Sequence, residues 1–397
     1  LQAAHLVRAV ADAARRWADA DFPPRARATS AIVARTGYSA PVVEHALDRL
    51  FKPIDADGLA DAIADELGSM DALDRFVERH GSRRRAYPIG KVVVISSQTT
   101  IGVALLPAIY ALCAKCAVLV KDREDALVGA FFETLVEELP ALASAVKARS
   151  WHGGEDLQSD RDVLLADGVV AFGRDRTLAK LRAALRPNAR FVGYGHRASV
   201  GYVARTAFDD ETGARAAARA AARDLVLYDG EGCMSLHALF VERGGAIPPE
   251  RFARVLIDAV AEASIEFPPG RLDPRIAAYC TGATFRAAQG RGDVLRTPDA
   301  SATIVIDPPL GEPPPFLPRV LPLYVVDQPQ ECEEYVRSHG LPLEAFAVLE
   351  PTEPLAELAA GLGAVRIARL GEMQAPSPTL HHGGRARIVD FVRWVDA

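Results

Sequence analysis

Hydrophobic positions change rhythm along the chain. Over residues 1–80 they recur at helical intervals, best seen in Leu47, Leu50, Leu59, Ile63 and Leu67, with Pro53 and Gly58 as punctuation, and the stretch predicts helices. A polar segment, Arg83 to Arg85, gives way to a short apolar run, Lys91-Val-Val-Val-Ile95, which reads as a strand. Helix 105–112, strand 117–120, helix 126–138, strand 168–171, helix 177–185 and strand 190–194 continue an alternating pattern. Apolar strands separated by helices imply parallel βαβ units with both sheet faces covered.

Past residue 200 a long Ala/Arg helix (213–223) precedes a glycine-flanked loop, Asp229-Gly-Glu-Gly-Cys-Met-Ser235. Strand 238–241 and helix 249–261 follow. Residues 303–306 read as a strand, joined by the proline-rich run 308–318 to another at 320–326, and strands and helices alternate to about Arg369. Residues 371–384 are mostly turn-forming, and 388–394 reads as a final helix packing back on the body. The expected plan has an N-terminal helical segment, 1–80, packing on a nucleotide-binding α/β domain, 81–200. A second α/β domain with a reactive loop, 201–370, precedes a tail, 371–397, that returns to the first.

Composition narrows the function. At 397 residues there is room for two to three domains, and 49% hydrophobic with 25% charged residues is ordinary for a globular chain. A formal charge of −6 argues against a broad nucleic-acid footprint and leaves room for a local basic pocket. No apolar run reaches the ~20 residues of a membrane-spanning helix; the longest candidate, 103–120, holds Pro107 and Lys115. Cys113, Cys116, Cys233, Cys280 and Cys332 are too sparse for a disulfide framework, and no signal-type segment opens the sequence, so a cytoplasmic protein is expected. No Asp/Glu/His cluster has metal-ligand spacing, and no metal is expected.

Cys233 is the strongest candidate for chemistry. Gly230, Gly232 and Ser235 set it on a tight turn after a helix, where free backbone N–H groups could stabilise a thiolate and a later oxyanion. The alternative is a buried structural cysteine. Cys113 and Cys116, spaced as a CxxC pair, read as a packed helix face. His196, just beyond a strand and a glycine, suits an acid or base as well as a surface histidine. His237 lies four residues past Cys233, on the same helical face or in a strand leaving the site. Lys121 is one of only six lysines and ends a strand, suited to a ribose hydroxyl or phosphate, or simply solvated.

These residues stand in an order that resembles the aldehyde dehydrogenase superfamily and, more narrowly, the acyl-CoA reductase family that includes the fatty-acid reductase of bacterial bioluminescence. Tyr87-Pro-Ile-Gly-Lys-Val-Val-Val-Ile95 resembles the start of the first cofactor-domain strand. Gln98 stands 23 residues before Lys121, the interval between the superfamily's oxyanion-hole asparagine and its ribose-binding lysine. Val170-Ala-Phe-Gly173 resembles the strand and glycine beneath the pyrophosphate, with Arg174 beside them. Arg190-Phe-Val-Gly-Tyr-Gly-His-Arg-Ala-Ser199 is similar to the following strand, and Asp229-Gly-Glu-Gly-Cys-Met-Ser-Leu-His237 to the nucleophile loop. Pro318-Arg-Val-Leu-Pro-Leu-Tyr-Val-Val326 is similar to the strand after the catalytic-domain loop. Gly371-Glu-Met-Gln-Ala-Pro376 and the closing His-His-Gly-Gly resemble the terminal substrate region, implicating His237, Met373, Gln374 and His382 in substrate binding. The resemblance covers roughly residues 85–397.

It implies an aldehyde-dehydrogenase-like fold of two α/β domains with parallel-rich sheets after an N-terminal helical segment. It also implies a homo-oligomer and a nicotinamide cofactor held by Lys121, Arg123 or Glu124, Gly173 and Arg174. Arg123 favours NADPH, as does the family; Glu124, three positions past Lys121, favours NADH. Two departures stand out. Glutamine replaces the oxyanion-hole asparagine, and the superfamily's general-base glutamate falls on His196. Without that carboxylate to activate water, the implied reaction is exchange of a thioester with coenzyme A or another thiol. Cys233 would attack an acyl-CoA or acyl thioester, Gln98 would hold the oxyanion, His196 would protonate the leaving thiol, and hydride would release an aldehyde. The alternatives are oxidation of a free aldehyde to the acid, non-redox acyl transfer by Cys233, and an inactive homologue.

Overall fold

The computed structural model describes residues 1–97, 100–122, 127–289, 293–310, 313–340 and 342–397. Gln98, Arg123 and Glu124 lie outside the described residues. The chain divides into two compact units, one of Leu1–Thr36, Val43–Gly195 and Ser377–Ala397, the other of Gly37–Val42 and His196–Pro376. No helix among the described residues is long and apolar enough to cross a membrane.

The first unit opens with helices Ala3–Ala18, Pro23–Thr36, Ala40–Phe51 and Ala56–Leu67. Trp17 of the first lies against Phe51 and Phe131, ring centres 5.1 and 6.3 Å away, and its indole N–H donates to Thr134 at 3.0 Å. Seven strands follow: β1 (Val77–Arg79), β2 (Ser82–Pro88), β3 (Lys91–Ile95), β4 (Ala117–Lys121), β5 (Val146–Arg149), β6 (Gly168–Phe172) and β7 (Arg190–Tyr194). The last five form a parallel sheet in the order β5-β4-β3-β6-β7. Val92, Val93 and Val94 are completely buried, because crossover helices cover both faces of such a sheet. The order reverses direction between β3 and β6, and in open parallel sheets ligands bind beyond the carboxyl ends of the strands at such a point.

The second unit contains β8 (Ala198–Val203), β9 (Ala238–Glu242), β10 (Val294–Arg296), β11 (Thr303–Ile306), β12 (Val320–Val326), β13 (Leu343–Val348) and β14 (Arg366–Arg369). They form one sheet in the order β10-β11-β12-β9-β8-β13-β14, parallel except for the β10–β11 pair. Helices Glu211–Val226, Pro249–Glu266, Pro274–Ala288, Cys332–His339 and Glu353–Gly361 connect them.

The C-terminal segment corrects one expectation. Residues 388–394 are not a helix: a 3-10 turn, Val389–Phe391, leads into β15 (Val392–Asp396), which pairs antiparallel with β2. A single short segment gains little as a helix in water, whereas pairing with β2 satisfies its backbone. The Glu66 carboxylate fixes its start, accepting the backbone N–H groups of Arg387, Ile388 and Val389 at 2.5, 2.8 and 3.1 Å. Strands β1 and β2 have the same origin. Their arginine-rich sequence has no strand-like hydrophobicity, and the ladder with β15 holds β2 in place.

Candidate active site

Helix Glu211–Val226 ends in a turn that runs against backbone preference. Tyr228 (φ 52°), Asp229 (φ 51°) and Gly230 (φ 76°) are all left-handed. Only the glycine takes this conformation freely; for the other two it costs roughly 1–2 kcal/mol each. A buried ion pair offsets that cost. The Arg319 guanidinium, 1% exposed, donates to Asp229 Oδ1 at 2.6 Å, to the Val226 and Phe267 carbonyls at 3.2 and 2.8 Å, and to Ser264 Oγ at 2.9 Å. Asp229 also accepts from the Gly270 N–H through its other oxygen at 3.0 Å, and from the Arg319 N–H through its carbonyl at 2.9 Å.

This turn delivers Cys233 to the amino end of β9. Ser235 closes the loop: its Oγ accepts from the Gly232 N–H at 3.1 Å and from Gln374 Nε2 at 2.6 Å, while its own N–H donates to the Gly232 carbonyl at 2.9 Å. Fully buried Ser199, on β8, joins three elements. Its hydroxyl donates to the Cys233 carbonyl at 2.7 Å and accepts from the Ala345 N–H of β13 at 3.1 Å. Its N–H donates to His237 Nδ1 at 2.9 Å.

Cys233 keeps some accessible surface, yet burial pushes its thiol up to about 12; the Glu344 carboxylate raises it further, against the Cys233 and Met234 N–H groups and Arg197. Those two N–H groups donate to no oxygen among the described residues, which leaves them for charge on the sulfur. Arg197, Glu344 and Arg366 stand at the amino ends of β8, β13 and β14, around the same loop. Arg197 Nε is 3.7 Å from Glu344 Oε2, and Arg366 Nη1 is 3.4 Å from Met234 Sδ and 2.8 Å from the Met373 carbonyl. These three charged groups stand at the amino ends of their strands, opposite to the end that open α/β sheets usually offer to ligands.

In the first unit the corresponding features lie at the carboxyl ends. Lys121 closes β4, 7% exposed, its ammonium 4.4 Å from the centre of the Trp151 ring. Gly173 follows β6, and a side chain there would meet nothing within 4 Å, so the space beside it is open. Exposed Arg174 precedes helix Asp175–Ala184. His382 stacks on Tyr194 at 4.3 Å, and Tyr194 on Phe172 at 4.8 Å, beside a narrow cleft that Tyr110, Val170, Val192 and Arg387 also line.

A family model for acyl-CoA reductase (LuxC) matches residues 1–394. The chain belongs to that family. Membership makes it an oxidoreductase of the aldehyde dehydrogenase superfamily, and solved structures share the fold. A NAD-dependent benzaldehyde dehydrogenase from Corynebacterium glutamicum is 15% identical, with a TM-score of 0.71 over 100% of this chain and 86% of that one. An oxidoreductase from Marinobacter aquaeolei is also 15% identical, with a TM-score of 0.73 over 100% and 85%. Among curated proteins, long-chain acyl-protein thioester reductase 2 of Photobacterium leiognathi is 23% identical over 189 residues, 46% of this chain. The match covers only 38% of that protein's length.

In this LuxC-family chain the site residues expected from sequence fall into distinct settings. His196 is exposed, its ring edge-on to Phe316 at 5.7 Å. His237 is 3% exposed and neutral, pushed down to about 4 by burial, with Nδ1 occupied by the Ser199 N–H and Nε2 without a hydrogen-bond partner among the described residues. Met373 is completely buried, and its N–H donates to Asp224 Oδ1 at 3.1 Å. Gln374 is spent on Ser235. These two residues brace the loop that carries Cys233. Sequence reasoning passed over Arg319, Ser199, Arg366 and Glu344. Only Glu344 carried a signal, as the one charge in the apolar run Leu343-Glu-Ala-Phe-Ala-Val348.

Proposed function

We propose that the chain reduces an acyl thioester, with acyl-CoA as donor, to the aldehyde through a covalent thioester on Cys233. The observation that carries this reading is the built setting of that thiol: a left-handed, ion-pair-locked turn, with two uncommitted N–H groups facing the sulfur. A structural cysteine requires none of this. Cys233 attacks the thioester carbonyl, and the departing thiol leaves the acyl group on the enzyme. The N–H groups of Cys233 and Met234 offer their hydrogens to negative charge on the sulfur and on the acyl oxygen.

The open space at Gly173 and the position of Lys121 fit a nicotinamide dinucleotide. Lys121 would hold a ribose, and the backbone at Gly173 and Arg174 would take the pyrophosphate. NADPH is the proposed form, on the strength of Arg123 in the sequence. When bound, the cofactor supplies the hydride that reduces the acyl group; the chain's part is to present the carbonyl and take back the thiolate.

Steady-state turnover tests the reading. Thioester-dependent oxidation of NADPH with release of aldehyde and free coenzyme A supports it. Formation of acid from a free aldehyde without coenzyme A would favour the oxidising alternative, and acyl transfer without any nicotinamide turnover the non-redox one.

A further inference from the structure

We infer that Glu344 is the acid–base group of the nucleophile, taking the Cys233 proton as the acyl group is captured and giving it to the departing thiol. The inference rests on the proposed acyl transfer to Cys233. Its starting point is a defect in the sheet. Along the β8–β13 pair Leu343 faces Ala198 and Ala345 faces Ser199, so Glu344 is the extra residue of a β-bulge. Bulges turn a side chain out of the regular alternation and occur beside active sites. The residue after this bulge donates to Ser199 Oγ, which in turn donates to the Cys233 carbonyl. The bulge is therefore one hydroxyl away from the nucleophile's backbone.

The carboxylate makes little sense as a structural group. It is 8% exposed, receives no hydrogen bond among the described residues, and has one ion-pair partner, Arg197, at a long 3.7 Å. A nearly buried, poorly satisfied charge is costly and adds little stability. Burial raises its pKa, against Arg197 and Arg366, which is the direction a base working near neutrality requires. The charged and titratable groups that act on it are Arg197 before β8, Arg366 on β14 and the Cys233 thiol on the loop.

The histidines are poorer bases. His237 has its Nδ1 lone pair committed to Ser199, and its buried Nε2 can only donate. His196 is exposed, against the ring edge of Phe316. Proton transfer to Glu344 also relieves the site, because the ionised carboxylate disfavours a thiolate on Cys233. A neutral Glu344 no longer repels the sulfur, whose charge then faces Arg197, Arg366 and two N–H groups. The step balances. The Sγ–H proton moves to Glu344 as Sγ bonds to the acyl carbon. The bond from that carbon to the departing sulfur then breaks, its electron pair staying on that sulfur, which takes the proton from Glu344.

The test is the pH profile of Cys233 in the full chain and in Glu344→Gln, measured by site-resolved mass for alkylation by iodoacetamide and for acylation by an acyl-CoA. In the native protein both rates should level off once the carboxylate ionises. In Glu344→Gln they should have no plateau, should rise about ten-fold per pH unit through neutrality as thiolate forms, and should lie ~10²-fold below native near neutral pH. The two proteins should converge in alkali, and Glu344→Asp should restore part of the plateau. A plateau retained in Glu344→Gln overturns the inference, and so does a loss of the same size at every pH, which marks a merely structural role. If the native protein takes no acyl group from any thioester, the proposed function fails, while the iodoacetamide profile still decides the role of Glu344.

Discussion

Burial pushes the thiols of Cys113 and Cys233 alike up to about 12, yet the two cysteines occupy opposite kinds of surroundings. Cys113 ends the apolar helix Leu105–Cys113, is completely inaccessible, and burial alone acts on it. Around Cys233 the protein has assembled a carboxylate, two guanidiniums, two open N–H groups and a turn that had to be forced left-handed. Thiol acidity in the resting protein therefore does not distinguish the proposed nucleophile from a packed cysteine. What separates the two is whether charged groups and open N–H donors act on the thiol.

The largest effect should come from the thiols themselves. Cys233→Ser should lower thioester reduction by on the order of 10⁴-fold or more, because a hydroxyl in the same place lacks the nucleophilicity of a thiolate. Cys113→Ala should leave turnover within a few-fold, since that site offers only packing. Turnover of both purified variants decides it, and equal losses would erase the distinction.

The buried pair beneath the loop comes next. Arg319→Met leaves Asp229 charged, buried and short of donors, and should cost about 3–5 kcal/mol in a denaturant titration. Adding Asp229→Asn should recover much of that loss. A single variant as stable as the native protein would mean that the turn holds without the pair.

Asp224 gives a smaller, pH-dependent effect. It accepts the N–H groups of Gly371 at 2.5 Å and Met373 at 3.1 Å, and burial raises it to about 7 against those two bonds. Between its ordinary carboxylate range and about 7, the folded protein holds a proton that the unfolded chain has lost. This group's contribution to stability therefore falls as pH rises through that window. Asp224→Asn should be less stable overall and should lose that slope, as unfolding midpoints at acid and neutral pH would record. An identical slope in both proteins would remove Asp224 as its source.

The same contrast explains what could be read from the sequence. Strands β3, β4, β11 and β12 stand in it as local apolar runs, because buried parallel strands need no partner to look hydrophobic. Strands β2 and β15 could not be read that way. Each depends on a partner some 300 positions away, and Arg83 to Arg85 or Val-Arg-Trp-Val carries no trace of that pairing. Cys233 was legible because glycines flank it, a local signal. Glu344 showed only as a charge in an apolar run, since its place beside the loop comes from a bulge and from one hydroxyl of β8. The Asp229–Arg319 pair was hidden for the same reason: the partners are far apart in sequence and meet only when β12 is laid beside β9.

The most direct test of the account is to locate the acyl group. The native chain would be incubated with a long-chain acyl-CoA in the absence of cofactor, digested, and its cysteine peptides weighed. One acyl group should appear on the peptide carrying Cys233 and disappear when NADPH is added, with aldehyde released. Acylation of Cys113, Cys116, Cys280 or Cys332 instead, or of no cysteine at any chain length, would contradict the account.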